Sequence, residues 1–269
     1  MTLFRRCVFV LCLFTCSGIA LAESTVLASG DETFKIEVGY YLPSFNTRLR
    51  LDSKTLGIGD EVDMEDDIGF DRELGILRFN GHYRFASRHR VLFGYYSFDR
   101  SSTRIIDEEF QIGDQVYPVN TTITSTTDAT IIDLHYMYSL AKTKDYEFAA
   151  GLGLHTISWQ WDFRETGGGQ ATTSKATAPL PLLGLSFDYT ISQNWRAGAL
   201  AQFLALTMDG YEGQFTNVRA SIEYSLYKNI ALGFGLDAFD MDISEDRSEL
   251  QGRLRWSYTG AQVYTNIYF

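Results

Sequence analysis

Apolar and polar side chains alternate with a period of two along nearly the whole chain. In residues 34–42 the apolar set is Phe34, Ile36, Val38, Tyr40 and Leu42, with Lys35 and Glu37 on the other face. Thr216, Val218, Ala220, Ile222, Tyr224 and Leu226 oppose Asn217, Arg219, Ser221, Glu223 and Ser225, and Ile230, Leu232, Phe234 and Leu236 oppose Ala231, Gly233, Gly235 and Asp237. That period predicts strands with one apolar face. Short polar connections at residues 87–89, 141–145, 192–194 and 227–229 alternate with long ones around 51–72, 100–130, 164–177, 208–215 and 240–252. Between them lie ten predicted strands, at approximately 33–48, 73–86, 90–110, 116–140, 146–163, 177–191, 195–207, 215–226, 230–243 and 249–269. An even count puts both termini on the side of the short turns.

The start of the chain breaks the pattern. Residues 1–22 carry Arg5 and Arg6, an apolar stretch from Val8 to Phe14, and Ala20-Leu21-Ala22. This is the layout of a secretory signal cleaved after Ala22, and the apolar stretch is too short to span a bilayer as a helix. The expected division is a signal peptide over 1–22 and one domain over 23–269. Cys7, Cys12 and Cys16 leave with the signal, and the loss of its two arginines takes the net charge from −11 to −13. An exported domain without disulfides needs a large core or a membrane for its stability. With 45% apolar and 14% aromatic residues the chain is not disordered, and its acidity without a basic patch excludes nucleic acid as a partner. Residues 23–269 contain no apolar run approaching twenty residues, so membrane-spanning helices are excluded.

Period two suits a soluble sandwich as well as a membrane barrel. The export signal, the alternation of short and long connections, and aromatics near strand ends (Tyr40, Tyr41, Tyr83, Phe85, Tyr136, Tyr138, Tyr189, Trp195, Tyr224 and Tyr268) favour a barrel. The last residues decide the preference. Phe269, with Ile267 and Val263 before it on the same face, resembles the C-terminal assembly signal of bacterial outer-membrane barrels. Residues 178–184 (APLPLLG) and 65–69 (EDDIG) are also similar to segments of uncharacterised proteobacterial outer-membrane proteins. The resemblance implies an all-β fold, a transmembrane antiparallel up-and-down barrel of about ten strands with eight or twelve as the neighbouring counts. It also implies residence in the outer membrane of a Gram-negative cell, contact with its lipid and lipopolysaccharide, and delivery by the barrel-assembly machinery.

In a barrel the apolar face meets lipid and the other face lines the lumen. Lys35, Arg78, Arg84, Arg196 and Arg219 then point inward with Glu37, Asp133, Asp188, Glu223 and Asp237, joined by His82 and His135. Balanced charges in so small a barrel predict a salt-bridged, filled interior, whereas an ion-selective pore carries an excess of one sign. The leading expectation is therefore a non-catalytic envelope or surface role, without a cofactor. A narrow porin-like passive channel for small solutes is the alternative. Long loops are acidic, most of all at Asp60, Glu61, Asp63, Glu65, Asp66 and Asp67, which makes that loop a candidate site for divalent cations.

A third reading is catalytic. Asp133-Leu134-His135 resembles one half of the catalytic apparatus of the omptin proteases, and a lipid hydrolase would need a serine beside a histidine. Against it, omptins act at the extracellular rim with a second pair of acids, whereas His135 lies about five residues from a short turn and Ser139 follows it by four. His155 is expected about four pair positions from His135, too far to share a metal. Two irregularities are predicted as well: a bulge or late start at Pro179 and Pro181, and a bulge at Gly260, where the apolar parity switches.

Overall fold

The computed structural model describes residues 32–52, 59–112, 114–167, 169, 171–208, 211–246 and 251–269. The described residues contain strands and no helix. In chain order the strands are β1 (Phe34–Leu51), β2 (Val62–Asp63), β3 (Ile76–Ala86), β4 (His89–Ile105), β5 (Phe110–Ile112), β6 (Gln115–Tyr117), β7 (Thr122–Lys142), β8 (Tyr146–Glu165), β9 (Ala171–Thr190), β10 (Trp195–Met208), β11 (Tyr211–Tyr227), β12 (Ile230–Asp246) and β13 (Gln251–Tyr268). The long strands pair antiparallel in the order β13-β12-β11-β10-β9-β8-β7-β4-β3-β1, and β13 pairs with β1 to close the ring. The result is a ten-stranded up-and-down barrel, with β2 added to the top of β1 and β5–β6 a separate hairpin. Closure leaves the ring without a free edge strand, as a sheet in hydrocarbon requires, although the β9–β10 ladder stops short at Leu183–Phe203.

Alternation places every second side chain outside. Leu42, Leu77, Phe79, Leu134, Leu152, Leu183, Phe203, Leu236 and Val263 stand exposed on the outer wall, as a lipid belt demands. Tyr83, Tyr138, Tyr189, Trp195, Tyr224 and Phe269 extend that wall at the short-turn end, where amphipathic rings suit the interface. Tyr41 and Tyr268, expected in this girdle, face the lumen instead and are buried. The termini meet at the same end, with Thr33 and Phe34 N–H groups donating to the Phe269 carbonyl at 3.0 and 3.2 Å.

The strands run higher than the hydrophobic pattern suggested. β8 and β9 pair from Tyr146–Tyr189 up to Arg164–Ala171, so the long loop expected over 164–177 is largely ladder. At the top of β9 both faces are small or polar and the periodic signal disappears, although pairing continues.

Neither predicted bulge forms. β13 pairs without a register shift past Gly260 on both sides. Leu254, Trp256, Tyr258, Gln262, Tyr264 and Asn266 all face inward, and the parity switch marks a change in what fills the lumen: aromatic above, polar below. Pro179 and Pro181 lie within a continuous β8–β9 ladder, but the β9–β10 ladder stops at Leu183–Phe203, so the prolines occupy a stretch of β9 that β10 does not pair.

Candidate functional site

The lumen is built in three layers. Nearest the short turns, Glu147 at the start of β8 takes two bonds from Arg84 of β3, at 3.1 and 2.8 Å, and one from Ser139. Arg90 of β4 reaches across to Ser186 and Asp188 of β9 at 2.8 and 2.9 Å. Lys35 stands 3.9 Å from Glu223, whose oxygens also accept from the Tyr264 and Tyr268 hydroxyls, and Arg196 stands 3.8 Å from Glu32. His82 is buried beside Lys35, Arg90 and Asp188 around a void of about 120 Å³.

The middle layer crosses the barrel. Glu37 of β1 accepts from Arg219 of β11 at 2.6 Å, from Asn80 at 2.8 Å and from Gln262 at 3.2 Å. Arg78 of β3 bonds Asp237 of β12 at 2.7 Å, and its guanidinium lies 5.4 and 5.0 Å from the ring centres of Tyr41 and Tyr96. Each pair joins strands three places apart in the ring of ten, so the bonds cut across the lumen instead of running between wall neighbours. Charges this buried keep their ionised form through partners on several sides.

Asp133 anchors the third side of this layer. The same oxygen, Oδ1, lies 2.9 Å from His135 Nε2 and 3.2 Å from His155 Nδ1, while Gln202 donates to Oδ2 at 3.1 Å. Gln202 also sits 2.7 Å from His135 and accepts from Asn217 at 2.8 Å. The two histidines thus share a carboxylate, contrary to the wide separation expected. The cause is register: the β7–β8 turn closes with Lys142 opposite Glu147, nearer to β8 than expected, and the ladder, shifted once between Ser139 and Ala141, sets Asp133 opposite His155. Room for the imidazole of His135 comes from its partner Gly153, where a Cβ would fall 2.1 Å from the ring.

The upper layer is aromatic, which corrects the expectation of a lumen filled by charge throughout. Tyr96 and Tyr258 hydroxyls meet at 2.6 Å, Phe239 stacks on Tyr258 at 4.3 Å, and Phe45, Phe98, Trp159 and Trp256 pack above. The loop over residues 59–75 folds down onto them. Val62, Met64, Ile68 and Phe70 are buried, and Glu65 bonds Arg100 at 2.6 Å and the Thr47 N–H at 2.7 Å. The β5–β6 hairpin adds buried Phe110, Ile112 and Tyr117, with Tyr117 donating to Thr172 at 2.9 Å.

The acidic loop therefore commits several of its carboxylates to separate partners. Glu65 turns inward, Asp66 pairs with Arg72 at 2.6 Å, Glu61 lies 3.3 Å from Arg255, and Asp63 accepts from the N–H groups of Glu65 and Asp66. Among the described residues no three acids or histidines converge as a metal site, so the cation reading for Asp60, Glu61, Asp63, Glu65, Asp66 and Asp67 is not retained.

All twelve residues assigned to the lumen by alternation face it. Alternation missed Arg90, Glu147 and Arg100, which lie at or beyond the ends of the clear pattern, and the neutral Gln202, Asn217, Gln262 and Asn266 that complete the middle layer. Their spacing carried the signal: each shares the inward parity of its strand.

No protein-family model matches the chain, and no curated protein sequence does. Solved structures do match. The outer membrane protease OmpT from Escherichia coli aligns with a TM-score of 0.60 at 10% identity, covering 91% of this chain and 100% of that one. Ail, the attachment invasion locus protein of Yersinia pestis, aligns at 0.37 and 10% identity over 85% of this chain and 98% of its own, and OprG from Pseudomonas aeruginosa at 0.34 and 11% over 86% and 94%. The likeness to OmpT is one of fold. The chain is a closed, ten-stranded antiparallel β-barrel of that kind.

Proposed function

We propose that this protein is a sealed outer-membrane barrel with a non-catalytic envelope or surface role. One observation carries the reading: the bonds of Glu37 with Arg219 and of Arg78 with Asp237 span the middle of the lumen. Ten strands enclose little more than their own side chains need, and here the balanced charges interlock while an aromatic layer and an inserted loop lie above. A conducting path would have to part buried ion pairs and leave each charge without its partner.

The same burial argues against hydrolysis at Asp133 and His135. His135 is only 1% exposed, its ring is held by Asp133 and Gln202, and Ser139 is committed to Glu147. No substrate bond can reach that ring without dismantling the layer. Lipid and lipopolysaccharide are the partners that suit the outer wall, and Val263 and Phe269, exposed on it with Ile267 between them, suit recognition by the assembly machinery. Proteoliposomes carrying the protein should not swell in isosmotic arabinose. The variant E37A/R78A/R219A/D237A should swell, and swelling by the unaltered protein would refute the sealed reading.

A further inference from the structure

One cavity lies at the top of the lumen, beside the aromatic layer, whose Trp159 it shares. Inner-face residues of β1 and of β8 to β13 line it around about 410 Å³, within the range of small-molecule sites. Trp159, Trp161, Leu180, Leu204, Ile243 and Leu254 make its walls apolar. Pro179 and Pro181, on the outer face of β9, line the same cavity. A cavity bounded by both faces of one strand passes around that strand's edge.

β9 has such an edge here. Its ladder with β8 continues upward to Ala171, whereas its ladder with β10 ends at Leu183–Phe203 and β10 goes on with β11 alone, to Met208–Tyr211. Residues two apart direct their N–H groups to the same neighbour, and proline has none. Pro179 and Pro181 therefore leave two successive rungs that β10 cannot close. The last rung, Leu183–Phe203, consists of two exposed belt residues, so the seam opens at the level of the membrane.

We propose that this cavity binds a single alkyl chain, admitted sideways through the β9–β10 seam from the plane of the membrane. The chain comes from a membrane lipid or from a free fatty acid dissolved in the bilayer; the apolar wall and the lateral opening serve both. This goes beyond the sealed-lumen reading, since the cavity lies above the charge layer and borders the β9–β10 seam.

Tryptophan emission tests it. Of the four tryptophans, Trp195 faces lipid and is removed as W195F, leaving Trp159 and Trp161 on the cavity wall and Trp256 in the aromatic layer. One arm places W195F in bilayers of brominated phosphatidylcholine; the other adds a brominated fatty acid to unbrominated bilayers. Emission is expected to fall in at least one arm, the first identifying lipid and the second a free acid. Because Cys7, Cys12 and Cys16 all lie in the first 22 residues, a disulfide P181C/A205C, which continues the Leu183–Phe203 register, can staple the seam. Oxidation should abolish the quenching and reduction restore it. A178F, which fills the cavity from within, should abolish it without a crosslink. No quenching in either arm, or quenching that survives both the oxidised staple and A178F, would overturn the proposal, and neither outcome bears on solute passage through the lumen.

Discussion

Single positions in the lumen decide whether a buried charge is tolerable. Arg78 and Asp237 are both nearly inaccessible, and each is the other's ionic partner. R78A leaves Asp237 buried without its cation, which costs about 3–5 kcal/mol by comparison with other broken buried pairs. The double variant R78L/D237L should recover much of that loss, because it removes both charges; urea unfolding of the detergent-solubilised barrel, followed by the heat-dependent gel shift, reads both. At Gly153 the constraint is space: G153A drives a methyl into the His135 ring and should cost about 1–3 kcal/mol as overpacking. Equal stability of G153A and the unaltered protein would show that His135 is free to move. Alternation made Arg78, Asp237 and His135 legible as inward residues. It could not reveal that Asp133 serves two histidines, because that depends on where the β7–β8 turn closes and on the register shift between Ser139 and Ala141, neither of which the alternating pattern announces.

At the scale of the element, strand number and order were readable because lipid imposes one rule on every outer face. The rule lapses above the belt, and so did the reading: the top of β9, the β5–β6 hairpin and the inward fold of the acidic loop carry no period. Gly260 illustrates the same limit. Aromatics fill the upper lumen, so apolar side chains appear on the inner face there and on the outer face below, which mimics a bulge in a strand that has none. The inserted loop hangs on Glu65, through Arg100 and Thr47. E65A should release it and speed tryptic cleavage at the exposed Arg72, measured by mass spectrometry of the folded protein; an unchanged rate would mean that the apolar contacts of Val62, Met64 and Phe70 hold the loop unaided.

For the molecule as a whole, 45% apolar content serves two ends: a belt turned to lipid and an aromatic layer inside the upper barrel. Between that layer and the short turns the charges cancel in pairs, so the acidity of the chain does not create a field along the lumen. A closed ring with a plugged lumen withstands loss of individual wall contacts better than loss of the crossing bonds. The sealed lumen is therefore the central claim, and current across a planar bilayer tests it most directly. The unaltered protein should insert without discrete conductance steps, while E37A/R78A/R219A/D237A should produce them; steps from the unaltered protein of the same size as those from the variant would contradict the account.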